Sequence, residues 1–323
     1  MKLEQLLIAL DEGRFHSGEA LAHRFGVSRT AIWNSINKLK DLGLDVQSVK
    51  GKGYRIANDI ELLSQTAIMA ELHPHAQAVF PAVEILLSTD STNRQVANSM
   101  GASRKPLVCL AETQQEGRGR RGRQWVSPFA ANNYLSIGWR FSQLSASLDG
   151  LSLCVGLALV RAAQCAGVGG VGLKWPNDLL FEGQKVAGVL IEIVGELSGP
   201  VQVVIGIGVN VAMTRAQGKA IDQSWTTLSD IAGHRISRNT MAALVINQLV
   251  DILPQFEQGG FAIFREEWAG CDVLQGRTVE VDMAGRKVQG VARGVNYSGE
   301  LLLETKAGLE PIRGGEVSVR SGQ

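Results

Sequence analysis

Two long runs of β-branched residues lie close together in the middle of the chain. The run "KVAGVLIEIVG" begins at Lys185, the run "PVQVVIGIGVNVA" begins at Pro200, and only "ELSG" separates them. Runs rich in Val and Ile favour extended strands, and a short Gly-containing segment between two such runs predicts a hairpin. These residues therefore predict a β-hairpin at the centre of the fold.

The segments around this hairpin predict the rest of the central architecture. Strands are predicted at "VEILL", "LVCLAE" and "NYLSIGWRF", and helices at "RQVANSM", Leu151–Gly167 and "MAALVINQLVDILPQFE". The order does not alternate strictly between strand and helix, which indicates an α+β fold with a mixed sheet. A length of 323 residues suggests two or three domains.

The first sixty residues have a different pattern. Apolar residues at helical spacing in "LEQLLIAL" are followed by "SGEALAHRFG" and "SRTAIWNSINKLKDLG", which each begin with serine and end with glycine. Serine and glycine are preferred at helix starts and ends, respectively. Two short strands then flank a Gly-Lys-Gly turn in "LDVQSVKGKGYRI". This order predicts a winged helix-turn-helix, whose second motif helix enters the DNA major groove.

The local charge of this region favours DNA binding. Between Arg24 and Arg55 there are seven Lys or Arg and two Asp, a net charge of +5 in a chain whose total is +1. Lysines and arginines contact phosphates, and guanidinium and amide groups can pair with base edges. The predicted DNA contacts are Ser28, Arg29, Thr30, Asn34, Lys50 and Lys52. The alternative is a helical protein-interaction module with a solvated basic face.

Trp33 lies on the same outward face of the second motif helix. An outward tryptophan is more often packed against a neighbouring side chain than used on DNA. We therefore leave Trp33 out of the predicted DNA contacts.

Other features exclude several classes of protein. The four cysteines are scattered without a C-x-x-C pair, which indicates reduced, partly buried thiols and neither a disulfide framework nor a zinc site. The longest apolar stretch, Leu151–Gly167, is interrupted by Arg161 and Gln164 and falls short of a membrane span. Charged residues near the N-terminus argue against a signal peptide. We expect a cytoplasmic protein that has no membrane partner.

Seven central residues, Gly117–Arg123, combine three glycines with four arginines in "GRGRRGR". Their G-x-G-x-x-G spacing is that of a dinucleotide site, but "RQWVSPFAANN" is not helical and no acidic residue occurs between Gly117 and Asp149. Two interpretations remain. One is a nucleic-acid loop with Trp125 and Phe129 as stacking residues. The other is a mobile loop that closes over a small anionic ligand, where arginines supply forked donors.

Three further polar features accompany this loop. The segment "KWPND" (Lys174–Asp178) is a dense polar cluster. Lys185 opens a buried strand, so its ammonium can either enter a dry site or remain on a surface turn. Asn210 lies at the end of an apolar strand and needs hydrogen-bond partners if it is buried.

The motifs "STN", "QQEGRGRRGR", "KWPND", "KVAG", "GIGVNV" and "SW" occur in this order and together resemble the bacterial family of bifunctional biotin protein ligases and biotin-operon repressors. The resemblance covers nearly the whole chain. It implies that biotin and Mg-ATP form biotinyl-5′-adenylate. A lysine on the biotin carboxyl carrier domain of acetyl-CoA carboxylase then attacks this mixed anhydride.

The family also implies operator DNA of the biotin synthesis genes as a partner, and a homodimer favoured by biotinyl-adenylate. Two alternatives remain open. The chain could be a ligase whose helix-turn-helix no longer regulates, or a biotin-sensing regulator without efficient transfer. The cofactors implied are biotin and ATP as substrates together with Mg²⁺, with no metal ligands assigned in the protein.

The resemblance further implies roles for individual residues. The implied catalytic residues are Lys185, Arg120 and Asp178. The implied biotin-binding residues are Ser91, Thr92, Asn93, Gln114, Arg118, Gly119, Arg120 and Lys185. The implied adenylate- or ATP-binding residues are Gly117, Arg121, Asn177, Asn210 and Trp225. Gln114 is expected on the inner face of its strand, and the valeryl chain of biotin is expected against Val189–Ile191 and Trp125.

Three domains follow from the resemblance. They are a winged helix-turn-helix domain at residues 1–62, a mixed-sheet catalytic domain at residues 63–269 and an SH3-like β-barrel at residues 270–323. Without the resemblance, the short strands and Gly-containing turns of the last region indicate only a small β module.

Overall fold

Three groups of secondary-structure elements follow one another in the computed structural model, which describes residues 3–56, 60–101, 105–142, 147–195, 200–283 and 285–319. The first group confirms the predicted winged helix-turn-helix. Its elements are α1 (Leu3–Leu10), α2 (Gly18–Phe25), α3 (Arg29–Asp41), β1 (Val46–Val49) and β2 (Gly53–Ile56).

Local sequence signals define the helices of this first group. The Ser17 and Ser28 hydroxyls accept hydrogen bonds from the backbone N–H groups three residues ahead and cap α2 and α3. Gly26 ends α2 with a φ of +64°, a conformation that glycine adopts without steric cost. β1 and β2 pair in antiparallel orientation and form the wing.

The second group is built around a seven-stranded sheet. Its strands are β3 (Glu84–Leu86), β4 (Leu107–Ala111), β5 (Asn133–Phe141), β6 (Gly172–Lys174), β7 (Asp178–Phe181), β8 (Gln184–Val194) and β9 (Val201–Val209). The strand order is β3-β4-β5-β9-β8-β7-β6, with β3 parallel to β4 and the other pairs antiparallel. The predicted mixed sheet is confirmed. The predicted hairpin is confirmed as the β8–β9 pair, and its "ELSG" turn lies outside the described residues.

Helices cover both faces of this sheet. They are α4 (Gln65–Glu71), α5 (Pro74–Val79), α6 (Thr92–Met100), α7 (Leu151–Cys165), α8 (Leu228–Ala232), α9 (Arg238–Gly259) and α10 (Arg265–Ala269), with short 3₁₀ turns at Arg120–Gly122 and Phe261–Phe264. α6 packs on one face of β5, where a Cβ at Gly138 would overlap Val96 and Met100. α9 packs on the other face, against the layer of Leu135 and Ile137.

Two helix starts differ from the sequence-based expectation. α6 begins at Thr92, two residues before the predicted segment, so the polar "STN" triplet forms the helix start instead of a preceding turn. α9 begins at Arg238, where Ser237 caps it, three residues before the predicted start. In both cases polar residues at the start hid the helix, because an apolar periodicity begins only one turn later.

The third group is a five-stranded antiparallel sheet. Its strands are β10 (Thr278–Met283), β11 (Arg286–Val295), β12 (Leu301–Thr305), β13 (Gly308–Ile312) and β14 (Glu316–Val319), in the order β13-β12-β11-β10-β14. β13 and β14 are the two edges, so the residues described form an open sheet in place of the expected closed barrel. Its apolar face joins the hydrophobic core of the central sheet, and Trp175 Nε1 donates to Gly299 O at 2.9 Å.

A buried polar network joins the segment after the wing to the central sheet. Arg238, only 1% exposed, donates to Glu112 Oε2 at 2.7 Å and to the carbonyls of Glu61 and Asn132. Glu112 Oε1 accepts from Leu63 N at 2.6 Å. The Glu61 carboxylate accepts bonds from the start of α9, which hold its pKa below the ordinary value although burial acts to raise it. These bonds fix the chain where it enters the central sheet region, close to the predicted boundary after residue 62, which stays a prediction.

Two further expectations concern the thiols and the membrane. All four cysteines are free; Cys109 and Cys154 are buried and Cys271 is half-buried, as predicted for partly buried thiols, whereas Cys165 is exposed at the end of α7. Across the part of the chain that the structure describes, every helix is too short or too polar to cross a bilayer.

Candidate active site

A cavity of about 660 Å³ lies between the central sheet and the C-terminal sheet. This volume is in the range typical of small-molecule sites. Its wall includes twelve of the fourteen residues that the sequence suggested for catalysis and ligand binding: Ser91, Thr92, Asn93, Gln114, Arg118, Gly119, Arg120, Asn177, Asp178, Lys185, Asn210 and Trp225. Gly117 and Arg121 lie beside the cavity and outside its lining.

The start of α6 contributes a hydrogen-bonded polar group to one end of this cavity. Gln114 Oε1 accepts from Thr92 N at 3.0 Å, and Ser136 Oγ donates to Asn93 Oδ1 at 2.6 Å. Asn93 Nδ2 donates to Glu192 Oε2 at 2.7 Å. Gln114 follows β4 by three residues and forms a single bridge to Thr89, so its expected place within a strand was wrong. These bonds orient hydroxyl and amide groups, which can both donate and accept.

Glycines on the two central strands make room for the side chains at this end. A Cβ at Gly206 would overlap the Asn93 amide, and a Cβ at Gly208 would overlap the Trp125 indole. Glycine inside a strand often marks such a close approach. The motif "GIGVNV" contributed to the family resemblance, but the sequence alone did not show that its two glycines make room for side chains of the cavity. Val189 and Trp125 then provide an apolar wall between the polar group of α6 and the cations of the cavity.

The glycine-arginine loop closes one side of the cavity, and each of its arginines has a partner. Arg118 donates two hydrogen bonds to the Glu192 carboxylate, at 2.9 and 3.0 Å. Arg120 donates to Asn177 Oδ1 at 3.2 Å, and burial lowers the pKa of its guanidinium from the ordinary value. Arg121 donates to the Asp282 carbonyl, and Arg123 Nη2 lies 2.6 Å from Glu316 Oε2. The loop therefore spans from the central sheet to the C-terminal sheet.

Three glycines give this loop its path. A Cβ at Gly117 would overlap the Trp125 carbonyl, and Gly122 has a φ of +74°. Gly119 N donates to Arg123 O at 2.7 Å, which folds the loop back on itself. The segment after the loop is not helical, as the sequence predicted, so the G-x-G-x-x-G spacing here has no dinucleotide-type helix start.

A second wall of the cavity contains two lysines near one carboxylate, Asp178. Lys185 Nζ lies 2.7 Å from Asp178 Oδ1, and both side chains are 15% exposed. Lys174 is the cross-strand partner of Asp178, and burial lowers its pKa below the ordinary value. Lys185 Nζ also lies 5.5 Å from the centre of the Trp125 ring. Lys185 therefore faces the interior and is not a surface turn lysine.

The third wall comes from the segment after β9. Asn210 is buried and donates from Nδ2 to the Lys185 carbonyl at 3.2 Å, so the amide has the partner that its burial requires. Trp225 is 7% exposed, with the Arg215 guanidinium 4.5 Å from its ring centre. The backbone of Lys185 also pairs with that of Thr226. These bonds tie the tryptophan loop to the start of β8.

Several residues of the cavity escaped the sequence analysis. They are Glu280, Asp282, Lys287 and Glu316, which line the cavity, and Glu192, which pairs with Arg118 of its wall. The acids on β10 and β14 lie more than 100 residues from the loop that they contact, and no local pattern connects the two segments. Glu192 interrupts an apolar run in β8, and an acid in such a run was the one available signal.

The predicted DNA-binding residues lie on one exposed surface of the winged helix-turn-helix. Arg29, Thr30 and Asn34 are exposed on α3, and Lys50 and Lys52 are exposed at the tip of the wing. Ser28 is exposed but uses its hydroxyl to cap α3. Trp33, which was left out of the predicted DNA contacts, is 55% exposed on its outward face.

Comparisons with known proteins agree with this architecture. Residues 86–210 match the Biotin/lipoate A/B protein ligase family, residues 2–55 match an HTH domain, and residues 275–320 match the Biotin protein ligase C terminal domain. The chain is 40% identical over 319 residues to the bifunctional ligase/repressor BirA of Escherichia coli (strain K12), covering 99% of this chain and 97% of the relative. This chain belongs to the bifunctional ligase/repressor family.

Other members and solved structures support the same membership. The bifunctional ligase/repressor BirA of Salmonella typhimurium is 41% identical over 318 residues, covering 98% of this chain and 97% of the relative. The solved biotin protein ligase of Aquifex aeolicus in complex with biotin and ATP is 27% identical, with a TM-score of 0.65, and covers 74% of this chain and 99% of that chain. Membership of the ligase/repressor family therefore extends over the full length of this chain.

Proposed function

We propose that this chain is a biotin protein ligase that also represses transcription of biotin synthesis genes. It forms biotinyl-5′-adenylate from biotin and ATP and transfers biotin to a lysine of a carrier protein. The observation that carries this proposal is the cavity in which a polar pocket, an apolar wall and a set of cations follow one another. A ureido ring, an aliphatic chain and a phosphate-linked carboxyl group require these three environments in that order.

The pocket at the start of α6 suits the ureido ring of biotin. The ring offers two N–H donors and one carbonyl acceptor, and Thr92, Asn93 and Gln114 can meet both demands. The valeryl chain then lies along Val189 and Trp125. Gly206 and Gly208 of β9 leave space for the Asn93 and Trp125 side chains that form this part of the cavity.

The cations at the far end suit the activated carboxyl group and the phosphates of ATP. Arg120 contacts Asn177 and Lys185 pairs with the adjacent Asp178, so the two cations can hold carboxylate and α-phosphate together while the phosphoanhydride of ATP is broken and pyrophosphate leaves. Their positive charge stabilises the negative charge that develops during adenylate formation and during the later attack by the carrier amine. Asn177, Asn210 and Trp225 surround the remaining space, which the nucleotide occupies.

Mg²⁺ enters this proposal as part of the Mg-ATP substrate. In the part of the chain that the structure describes, no group of three or more His, Cys, Asp or Glu side chains could hold a metal ion. Mg²⁺ commonly keeps several waters and binds through substrate phosphates plus one or two carboxylates. The carboxylates that line this cavity are Asp178, Asp222 and the acids of the C-terminal sheet, Glu280, Asp282 and Glu316.

Asp178 has a second role in the transfer step. Its carboxylate is paired with Lys185, and it lies where an incoming lysine ammonium must lose a proton and become nucleophilic. The glycine-arginine loop and the loop before Trp225 act as lids, because the mixed anhydride hydrolyses when water reaches it. We expect both loops to become more ordered when the adenylate is bound.

Mass spectrometry of a carrier protein tests the ligase. The chain is incubated with biotin, ATP, Mg²⁺ and a biotin carboxyl carrier domain, and the carrier is expected to gain the mass of one biotinyl group at one lysine. Omission of ATP is the control and should leave the carrier unmodified. Transfer of lipoate with no transfer of biotin would contradict the substrate assignment.

The repressor activity requires two copies of the chain on one operator. One winged helix contacts one half-site, so tight binding to a two-fold symmetric DNA site needs a dimer. β7 pairs with β8 only as far as Gly188, and the edge of β8 from Leu190 to Val194 has no neighbouring strand in the described part of the chain. Ile193 on this edge is 58% exposed. We propose that two copies pair through this edge, as exposed strands readily do.

Biotinyl-adenylate favours that dimer, because Glu192 on β8 connects the edge to the glycine-arginine loop through Arg118. Ordering the loop around the adenylate reduces the entropy cost of forming the neighbouring interface. Sedimentation with and without biotin and ATP tests this, with a larger mass expected in their presence. Equal masses in both conditions would contradict the ligand-controlled dimer but would not affect the ligase assignment.

Three remaining parts of the proposal are structural. The C-terminal sheet is an SH3-like module that assists binding of ATP and of the carrier, since its β10 and β14 border the cavity. The domain limits are residues 1–62, 63–269 and 270–323. The chain works in the cytoplasm, where free thiols such as Cys165 remain reduced.

A further inference from the structure

We propose that Trp33 is a DNA-contacting residue that recognises the methyl group of a thymine in the major groove. The proposal rests on the repressor function, since it assigns a specificity-determining residue to the DNA-binding surface of that function. It concerns a side chain that the sequence analysis left out, and it follows from the exposure, position and surroundings of the indole.

The exposure of Trp33 is unusual for this chain. The indole is 55% exposed, whereas Trp139, Trp175, Trp225 and Trp268 are each at most 7% exposed. An apolar side chain of this size gains free energy when it is removed from water. No neighbouring helix or loop covers it in the described residues, so a partner molecule can provide that burial.

The position of Trp33 favours DNA as the partner. Trp33 is the fifth residue of α3, one helical turn after Arg29 and next to Asn34. The N-terminal residues of this helix contact base edges in helix-turn-helix proteins. Arg29 and Lys38 on α3 and Lys50 and Lys52 on the wing are exposed in the same domain, and their charge complements a polyanion. A protein partner that covers Trp33 with an apolar groove would also have to accommodate these cations. A protein partner is therefore the weaker alternative.

The chemistry of the indole identifies the group that it contacts. The indole is largely apolar and carries a single donor, Nε1–H, so it lacks the paired groups that read guanine or adenine by two hydrogen bonds. The apolar group on a base edge in the major groove is the 5-methyl of thymine. Trp33 therefore selects thymine at one position of each half-site, beside bases contacted by Arg29 and Asn34.

Replacement of thymine by uracil isolates this contact, because it removes only the methyl group. A DNA duplex is first selected from a random library by the full-length protein with biotin and ATP. Each thymine of that duplex is then replaced by deoxyuridine, and affinity is measured for the parent, Trp33→Ala and Trp33→Phe. Ile8→Ala is the matched control, because Ile8 is 59% exposed on α1 of the same domain but does not lie on α3. Thermal unfolding of each variant checks that the domain is folded.

We expect one thymine per half-site at which uracil weakens the parent and Ile8→Ala by about fourfold, the value of one buried methyl group. Replacement in both half-sites should weaken binding about fifteen-fold. The same replacement should change the affinity of Trp33→Ala by less than about twofold, with Trp33→Phe in between.

Equal uracil effects in parent and Trp33→Ala at every position would overturn the proposal. Loss of binding to a protein partner but not to DNA in Trp33→Ala would overturn it as well, in favour of a protein-interaction surface. Failure of the parent to enrich any duplex would instead contradict the repressor function itself, so the two failures are distinguishable.

Discussion

Two regions of this protein are rich in cationic side chains, which are exposed and unpaired in one region and paired with protein groups in the other. On the winged helix, Arg29, Lys38, Lys50 and Lys52 are exposed and have no hydrogen-bond or ion-pair partner within the described residues. In the glycine-arginine loop, all four arginines contact acids, an amide or carbonyls of the protein itself. The same residue types therefore serve two different purposes.

The difference follows from the ligands that the two regions bind. DNA presents a repeating line of phosphates, and cations that remain hydrated and mobile can neutralise it at many registers. An adenylate is small and reactive, so its cations must be fixed in advance at defined positions. The partners Glu192 and Asn177 provide this fixation for Arg118 and Arg120. Arginines that are paired within the protein thus mark the small-ligand site, and exposed unpaired cations mark the polyanion surface of the same chain.

The largest expected effect comes from the cation that is most completely paired. Arg238→Ala should lower the free energy of unfolding by about 3–5 kcal/mol, because it leaves the buried Glu112 carboxylate without its charge partner. Chemical denaturation measures this change. The matched control is Arg161→Ala, whose two-point pair with Glu267 is 30% and 42% exposed and should contribute about 0–1 kcal/mol. Similar losses for both variants would show that burial does not determine the value of a paired arginine here.

A second large effect is expected on catalysis. Lys185→Ala should slow pyrophosphate release by about 10²–10³-fold, because a fixed positive charge is removed from the site where two anions are brought together. The control is Lys306→Ala, an exposed lysine in a turn of the C-terminal sheet. Stopped-time assays of pyrophosphate with biotin and ATP measure the rate. An unchanged rate in a folded Lys185→Ala variant would contradict the role of Lys185 in adenylate formation.

A smaller effect on stability is expected for a buried carboxylate that has no charge partner, Asp272. Burial raises the pKa of Asp272 from 3.8 to about 6, and its Oδ2 has no partner in the described part of the chain. The pKa of Asp272 is higher in the folded protein than in the unfolded chain. The contribution of this residue to stability is therefore complete below about pH 4 and is lost as the pH rises through about 6.

Asp272→Asn should therefore raise the free energy of unfolding by about 1–2 kcal/mol at about pH 8 and change it little at about pH 4. The amide oxygen of the new side chain can still accept the bond from Leu274 N that Asp272 accepts at 2.8 Å. Thermal unfolding at both pH values measures the difference, and the exposed Asp45→Asn is the control. A variant that is equally destabilised at both pH values would contradict the role of the buried charge.

The smallest expected effect concerns a single unpaired cation of the wing. Lys52→Ala should reduce the slope of log affinity for DNA against log salt concentration by about one and weaken all sequences alike. Lys306→Ala should leave the slope unchanged. A sequence-dependent loss in Lys52→Ala would mean that this lysine contacts a base instead of a phosphate.

Much of the fold could be predicted because its signals are local. The serine caps of α2 and α3 and the β-branched runs of β8 and β9 each lie within a few residues of the structure that they specify. The start of α6 could not be predicted in the same way, because Ser91, Thr92 and Asn93 are equally typical of a turn. Only their contacts with Gln114 and Ser136, which are distant in sequence, identify them as a helix start facing a pocket.

The candidate site was predictable in its residue types and much less so in its partners. The arginines of Gly117–Arg123 were evident, but Glu192 and Glu316 lie 74 and 193 residues from Arg118 and Arg123, respectively. Periodicity placed Trp33 on an outward face, but it could not determine whether another element covers that face. The open edge of β8 likewise depends on where β7 stops, which no pattern in the sequence of β8 reveals.

The central claim is that adenylate bound in the cavity, beside the glycine-arginine loop, increases DNA binding by the basic surface of the winged helix. Titration of a selected operator duplex with the full-length protein, with and without biotin and ATP, tests this most directly. We predict tighter binding with both substrates by about 5–150-fold, the usual range of coupling between two sites. Equal affinity in the two conditions would contradict the claim and would leave a ligase joined to a DNA-binding domain that does not respond to it.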